Sequence, residues 1–192
     1  EWNIRMIHGD QRKQEKKKEK RKSKEKRKIR IAVLDSGVDH ANDIHLAETI
    51  SLVPGEEGMS PLFMDGTGHG NSVAGLIAAE ENGEGITGVA PDAEIYSYRV
   101  LDDDNCAPVS RVVEAIYMAV DRKVDIINMS FGVDTYSEAL AQAVKDASAS
   151  GILVIAASGN TGEKGVQYPA ALEETMAVGS VDKDGDVADS SS

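Results

Sequence analysis

From Ile29 onward, short runs of β-branched and other apolar residues alternate with amphipathic stretches, and this alternation confines the chain to a small set of folds. The strand-like runs are residues 29–35, 94–101, 124–130, 152–157 and 175–181. The stretches between them predict helices over 69–80, 109–122 and 137–150. In the second helix Val109, Val112, Val113, Ile116 and Val120 share one face, and in the third Leu140, Val144 and Ala147 do. Strands alternating with helices argue for a mostly parallel sheet with helices on both faces, a doubly wound α/β domain. Such domains carry their sites at the carboxyl ends of the strands.

The formal net charge of −12 joins two unlike parts. Residues 1–30 hold 14 basic and 5 acidic side chains, whereas residues 31–192 hold 7 basic and 28 acidic ones. An acidic body repels a polyphosphate backbone, so no nucleic-acid partner is expected for the domain. Residues 11–30 are Lys-rich with interleaved Glu and no apolar periodicity, the pattern of a solvated helix or loop. Residues 1–30 therefore read as an amino-terminal segment with a Lys-rich insertion between a small apolar cluster (Trp2, Ile4, Met6, Ile7) and a domain at 31–192. The single cysteine, Cys106, permits no intrachain disulfide. No apolar run approaches the roughly 18 residues of a membrane-spanning helix. The chain opens on Glu1 without a signal peptide, as a processed form or a fragment would.

Four segments carry side chains suited to chemistry. The first strand runs into Asp35-Ser36-Gly37, which sets a carboxylate at the mouth of the sheet beside a residue that allows a sharp turn. Next comes Asp65-Gly66-Thr67-Gly68-His69-Gly70-Asn71-Ser72-Val73-Ala74-Gly75, a histidine among glycines that opens a helix of small residues. The field at a helix amino terminus disfavours an imidazolium, so His69 needs a carboxylate nearby, and Asp35 suits that role. The glycine spacing fits no dinucleotide fingerprint, and no strand precedes it as a nucleophile elbow would require. The third segment is Asn128-Met129-Ser130-Phe131-Gly132, able to offer backbone groups to an extended ligand. The fourth ends Ala157-Ser158-Gly159-Asn160, where an amide can donate to a developing oxyanion.

Taken together, these segments resemble the subtilisin-like serine proteases, the subtilases. Asp35 sits in an Asp-Ser-Gly motif, His69 in His-Gly-x-x-Val-Ala-Gly, and Asn160 in Ala-x-Gly-Asn; Gly88-Val89-Ala90-Pro91 and 128–132 match further family segments. The resemblance covers essentially 29–192. It implies that Asp35 orients and charge-stabilises His69, that His69 is the general base and acid, and that Asn160 donates to the oxyanion. It also implies that Ser130, Phe131 and Gly132, with Ser158 and Gly159, line the cleft and bind a peptide or protein substrate.

The family's Gly-Thr-Ser nucleophile segment occurs nowhere in the 192 residues, and none of Ser190, Ser191 or Ser192 has its flanking glycine. A domain truncated before its nucleophile, inactive alone, is the expectation. The alternative is a catalytically silent relative that binds extended peptides. The resemblance further implies a structural calcium near Asp43 and the loop Asn82, Glu84 and Ile86, and a secreted or cell-envelope monomer. Asp182, Asp184 and Asp186 lack the glycine of a calcium loop and read as a solvated hairpin turn.

Overall fold

A computed structural model describes residues 6–7, 27–39, 43–56, 64–162 and 165–192. Six parallel strands form one sheet: β1 (Arg30–Asp35), β2 (Leu46–Ser51), β3 (Glu94–Arg99), β4 (Ile126–Met129), β5 (Leu153–Ala157) and β6 (Thr175–Val178). Three helices connect them: α1 (His69–Ala78), α2 (Val109–Asp121) and α3 (Glu138–Ala149). The strand order is β2-β3-β1-β4-β5-β6, so β1 lies in the interior of the sheet between β3 and β4.

The alternation of side chains across the strands sorts the core into two layers. Ala32, Leu34, Ile127, Met129, Val154 and Ala156 face α2 and α3 and bury Ile116 and Val144 beneath those helices. On the other face Ile31, Val33 and Ile95 pack with Ala78 of α1, joined by Ile126. The small residues of α1, with Gly70, Ala74, Gly75 and Ala78 all buried, let this helix lie close to the sheet. α3 starts at Ser137, whose side chain accepts the Leu140 N–H, with Glu138 favourably placed in the first turn.

α1 packs against β1 and β3, and among the described residues no helix covers the β5–β6 end of its face. Leu153, Met176 and Val178 lie on that side of the sheet and are 42%, 52% and 49% exposed. A parallel sheet is ordinarily covered on both faces, so this is an open apolar flank.

The helices and five of the strands coincide with the predicted ones to within a few residues. The sixth strand, β2, escapes the sequence pattern. Leu46-Ala47-Glu48-Thr49-Ile50-Ser51 has only Thr49 and Ile50 as β-branched residues, and a register shift between Leu46 and Glu48 breaks its period of two. Side chains hold this edge strand in place: Glu48 accepts the buried Tyr98 hydroxyl at 2.9 Å and pairs with Arg122 at 2.7 Å. Burial, reinforced by that carboxylate, pushes the Tyr98 hydroxyl up from its ordinary value. The run predicted to reach residue 181 stops at Val178, and Val181 instead bridges Val187 across an antiparallel hairpin. Its turn is closed by Asp182, whose carboxylate accepts the N–H groups of Asp184 and Asp186. The Lys-rich stretch and the apolar pair Trp2 and Ile4 lie outside the described residues, apart from Arg27, Lys28 and Arg30 at the end of that stretch. Met6 and Ile7 are exposed. Arg27 pairs with Asp125 at 2.8 Å.

Candidate active site

Asp35 closes β1 at the carboxyl edge of the sheet and is fully buried. Its Oδ1 accepts the Ser36 N–H at 2.7 Å and lies 2.6 Å from His69 Nδ1. An ionised carboxylate can only accept, so Nδ1 carries a proton, and in the neutral imidazole Nε2 is then the nitrogen with the lone pair. The His69 side chain is 47% exposed, which leaves the ring reachable. A buried carboxylate fixing one imidazole nitrogen while the other is free to take a proton is the arrangement general-base chemistry needs.

His69 is the first residue of α1, and the helix start is built around it. Gly68 at the N-cap has φ 81° and offers no side chain to the orphan N–H groups. Asp65 caps the helix in its place, with Oδ1 accepting the Gly68 N–H at 2.9 Å and Oδ2 the Asn71 N–H at 2.8 Å. The Ser36 hydroxyl donates to Asp65 Oδ1 at 2.8 Å and accepts the Gly70 N–H at 2.9 Å. Asn71 in turn exchanges hydrogen bonds with Asp39. The turn after β1 and the first turn of α1 are thereby laced together by side chains.

The remaining segments line up along the same edge, since β1, β4 and β5 are consecutive neighbours. With strands about 4.8 Å apart, the end of β5 lies roughly 10 Å across from Asp35. Asn160 is exposed there. Ser130 accepts from Asn128 Nδ2 at 2.9 Å, and Phe131 packs its ring on the buried cluster, so Phe131 offers a ligand its backbone. Residues 130–132 have no ladder partner among the described residues, although Val133 bridges Tyr168 immediately after them. That unpaired stretch can take an extended peptide as an added strand. Ser158 is buried, and its N–H already donates to the Val178 carbonyl.

Two features went unread in the sequence. Gln167 lies between the two cleft segments: a Cβ on either Gly132 or Gly159 would meet its Oε1 at 2.7 Å. Its Nε2 donates to Asp134 at 2.8 Å. The second is the terminal stretch, where Ser192 N donates to the Gly159 carbonyl and Ser192 Oγ accepts the Thr161 N–H, which brackets Asn160.

Asp43 and Asn82, far apart in sequence, are brought together: Asn82 Nδ2 donates to Asp43 Oδ1 at 2.7 Å, and Asn82 Oδ1 accepts the Glu84 N–H. The Asp43 carboxylate is an oxygen ligand of the kind a hard cation prefers, but Asn82 turns its amide nitrogen toward it and its oxygen toward the Glu84 N–H. No group of three or more His, Cys, Asp or Glu residues suited to a metal occurs among the described residues. A cation at Asp43 would therefore lean on backbone carbonyl oxygens and on a turned-over Asn82 amide.

Behind Asp35 lies the buried cation of the site, Arg99, clasped by Glu56 through two hydrogen bonds of 2.8 and 2.9 Å. The Arg99 hydrogen bond, against the opposing effect of burial, holds the Glu56 carboxyl below its ordinary value of 4.5. A carboxyl lowered on folding contributes stability above its unfolded value and loses it as pH falls through the folded one. The melting temperature should thus begin to fall below about pH 4.5, and Glu56→Gln should flatten that acid limb. A thermal melt series across the acid range measures both, and an unaltered limb in the variant would contradict the assignment.

A family profile described as the subtilase family matches residues 26–192. Subtilisin BL of Lederbergia lenta is 41% identical over 155 residues, covering 81% of this chain and 56% of that protein. A thermostable alkaline protease of Halalkalibacterium halodurans is 42% identical over 156 residues, 81% of this chain and 42% of that protein. Subtilisin E of Bacillus subtilis is 42% identical over 158 residues, 80% of this chain and 41% of that protein. The chain spans about half the length of the curated relatives it matches.

Proposed function

The chain belongs to the subtilase family, and from that membership we propose that it supplies the Asp–His half of a serine endopeptidase site. The observation that carries the proposal is the 2.6 Å contact between buried Asp35 and half-exposed His69. In this reading Asp35 holds the Nδ1 proton and stabilises the imidazolium. His69 Nε2 takes the proton from a serine hydroxyl as it attacks the peptide carbonyl, then returns it to the leaving amine. Asn160 donates to the oxyanion, and 130–132 with Ser158 and Gly159 hold the peptide in extended form, the free groups of 130–132 doing most of the pairing.

No Gly-Thr-Ser segment lies within these 192 residues, so the nucleophile is proposed to come from a segment outside them, and residues 1–192 alone are proposed to be inactive. The bare flank at Leu153, Met176 and Val178 supports this. A helix covering it, running antiparallel to the strands, would begin at the carboxyl edge beside His69. The sequence fact also favours a second reading, a peptide-binding relative without catalysis. Hydrolysis of a chromogenic peptide amide by the gene product, blocked by a serine-directed sulfonyl fluoride, supports the protease; saturable peptide binding without hydrolysis supports the alternative.

Structural calcium at Asp43, Asn82 and the carbonyls of Glu84 and Ile86 belongs to the same proposal. Its role there would be to tie the loop to the Asp43 segment. Saturating calcium should raise the melting temperature by a few degrees over a chelator, and Asp43→Ala should remove the difference. Identical melts with and without chelator would dismiss it. Secretion or attachment to the cell envelope, and action as a monomer, are carried over from the family in the same spirit. No helix among the described residues is long and apolar enough to cross a membrane.

A further inference from the structure

Arg99 ends β3 directly beside Asp35, and although it carries a charge it is 1% exposed. Its guanidinium spends four hydrogen bonds in three directions. Nε and Nη2 grip the two oxygens of Glu56, Nη2 also donates to Asp103 at 2.8 Å, and Nη1 donates to the Ser36 carbonyl. The planar fork suits this bidentate grip in a way a lysine ammonium does not.

Ser36 is where the Asp35 carboxylate and the His69 helix meet. Its N–H fixes Asp35 Oδ1, and its hydroxyl joins Asp65 to the Gly70 N–H. Arg99 holds the carbonyl on the far side of Ser36, while the Val100 and Leu101 N–H groups hold the Asp35 carbonyl on the near side, so both peptides flanking Ser36 are pinned. We propose that Arg99, anchored by Glu56, is a positioning residue that locks Ser36 and so sets the Asp35–His69 hydrogen bond. The inference rests on reading Asp35 and His69 as the working pair, and it touches neither substrate nor reacting atoms.

The test reads the His69 Nδ1 proton directly by NMR in the 192-residue chain, where a short bond to a carboxylate gives a far-downfield signal. It needs neither nucleophile nor substrate, so failed peptide hydrolysis would strike the protease proposal and leave this one standing. Arg99→Met should abolish the signal while the dispersed core resonances persist, and Arg99→Lys should restore it in part. Arg111→Met is the control, because Arg111 holds the Val100 carbonyl and not Ser36; it should leave the signal in place. Should Arg99→Met fail to fold, Glu56→Gln keeps the guanidinium but loosens its anchor. Exchange of the Nδ1 proton with water should then rise about tenfold, as for loss of one charged hydrogen bond. A signal in Arg99→Met with native position and native exchange, or unchanged exchange in Glu56→Gln, overturns the proposal.

Discussion

Replacing His69 with alanine, in a polypeptide that also carries the nucleophile, should lower kcat by about 10⁶-fold with little change in KM; the size is borrowed from the same change in a subtilisin. The reason is visible in the pair. Removing the ring takes away the base in contact with Asp35, and the serine hydroxyl keeps its proton. Asp35→Asn should cost less, about 10⁴-fold, because the imidazole survives but an amide N–H facing Nδ1 selects the wrong tautomer. The double variant should be no worse than His69→Ala, since the two residues act as one unit. Steady-state kinetics on a peptide amide measures all three. Additive losses, or a His69→Ala variant that keeps its kcat, would remove His69 from the role.

Gly70→Ala should damage the fold and the site together. A Cβ at residue 70 would sit 1.9 Å from the Gly37 carbonyl oxygen, where the first turn of α1 meets the turn after β1. Overpacking usually costs about 1–3 kcal/mol, and here both sides of the clash are backbone, so the loss belongs at or above the top of that range. The relief available is to push α1 away from β1, which stretches the Asp35–His69 bond and breaks the Gly70–Ser36 one. Gly151→Ala is the comparison. Gly151 has φ +83° with open space around its Cβ position, so its cost should stay near the roughly 1–2 kcal/mol of the left-handed conformation alone. Urea unfolding compares them, and a Gly70→Ala chain within about 1 kcal/mol of the native one would contradict the packing described.

The architecture was legible because its signals are local. β1, β4 and β5 announce themselves as apolar runs, and Asp35 and His69 stand in short motifs whose glycines mark the close approach. What stayed hidden depends on segments that only folding brings together. Arg99 reads as the tail of a strand, yet its partners come from Ser36, Glu56 and Asp103. Gln167 carries no motif, and its place between Gly132 and Gly159 follows from the return of the chain after β5. Asp65 stood in plain view beside His69, but its capping of α1 shows only once Gly68 leaves the helix start without a side chain. β2 was lost because edge strands are half polar and this one is bulged.

The central claim is that Asp35 and His69 activate a serine that lies outside these 192 residues. Labelling the gene product with a fluorophosphonate and mapping the modified serine by mass spectrometry tests it most directly. The modified residue should fall in a Gly-Thr-Ser segment beyond residues 1–192, with labelling slowed about 10³-fold or more by His69→Ala. Modification of a serine within 1–192, or a labelling rate indifferent to His69, would contradict it.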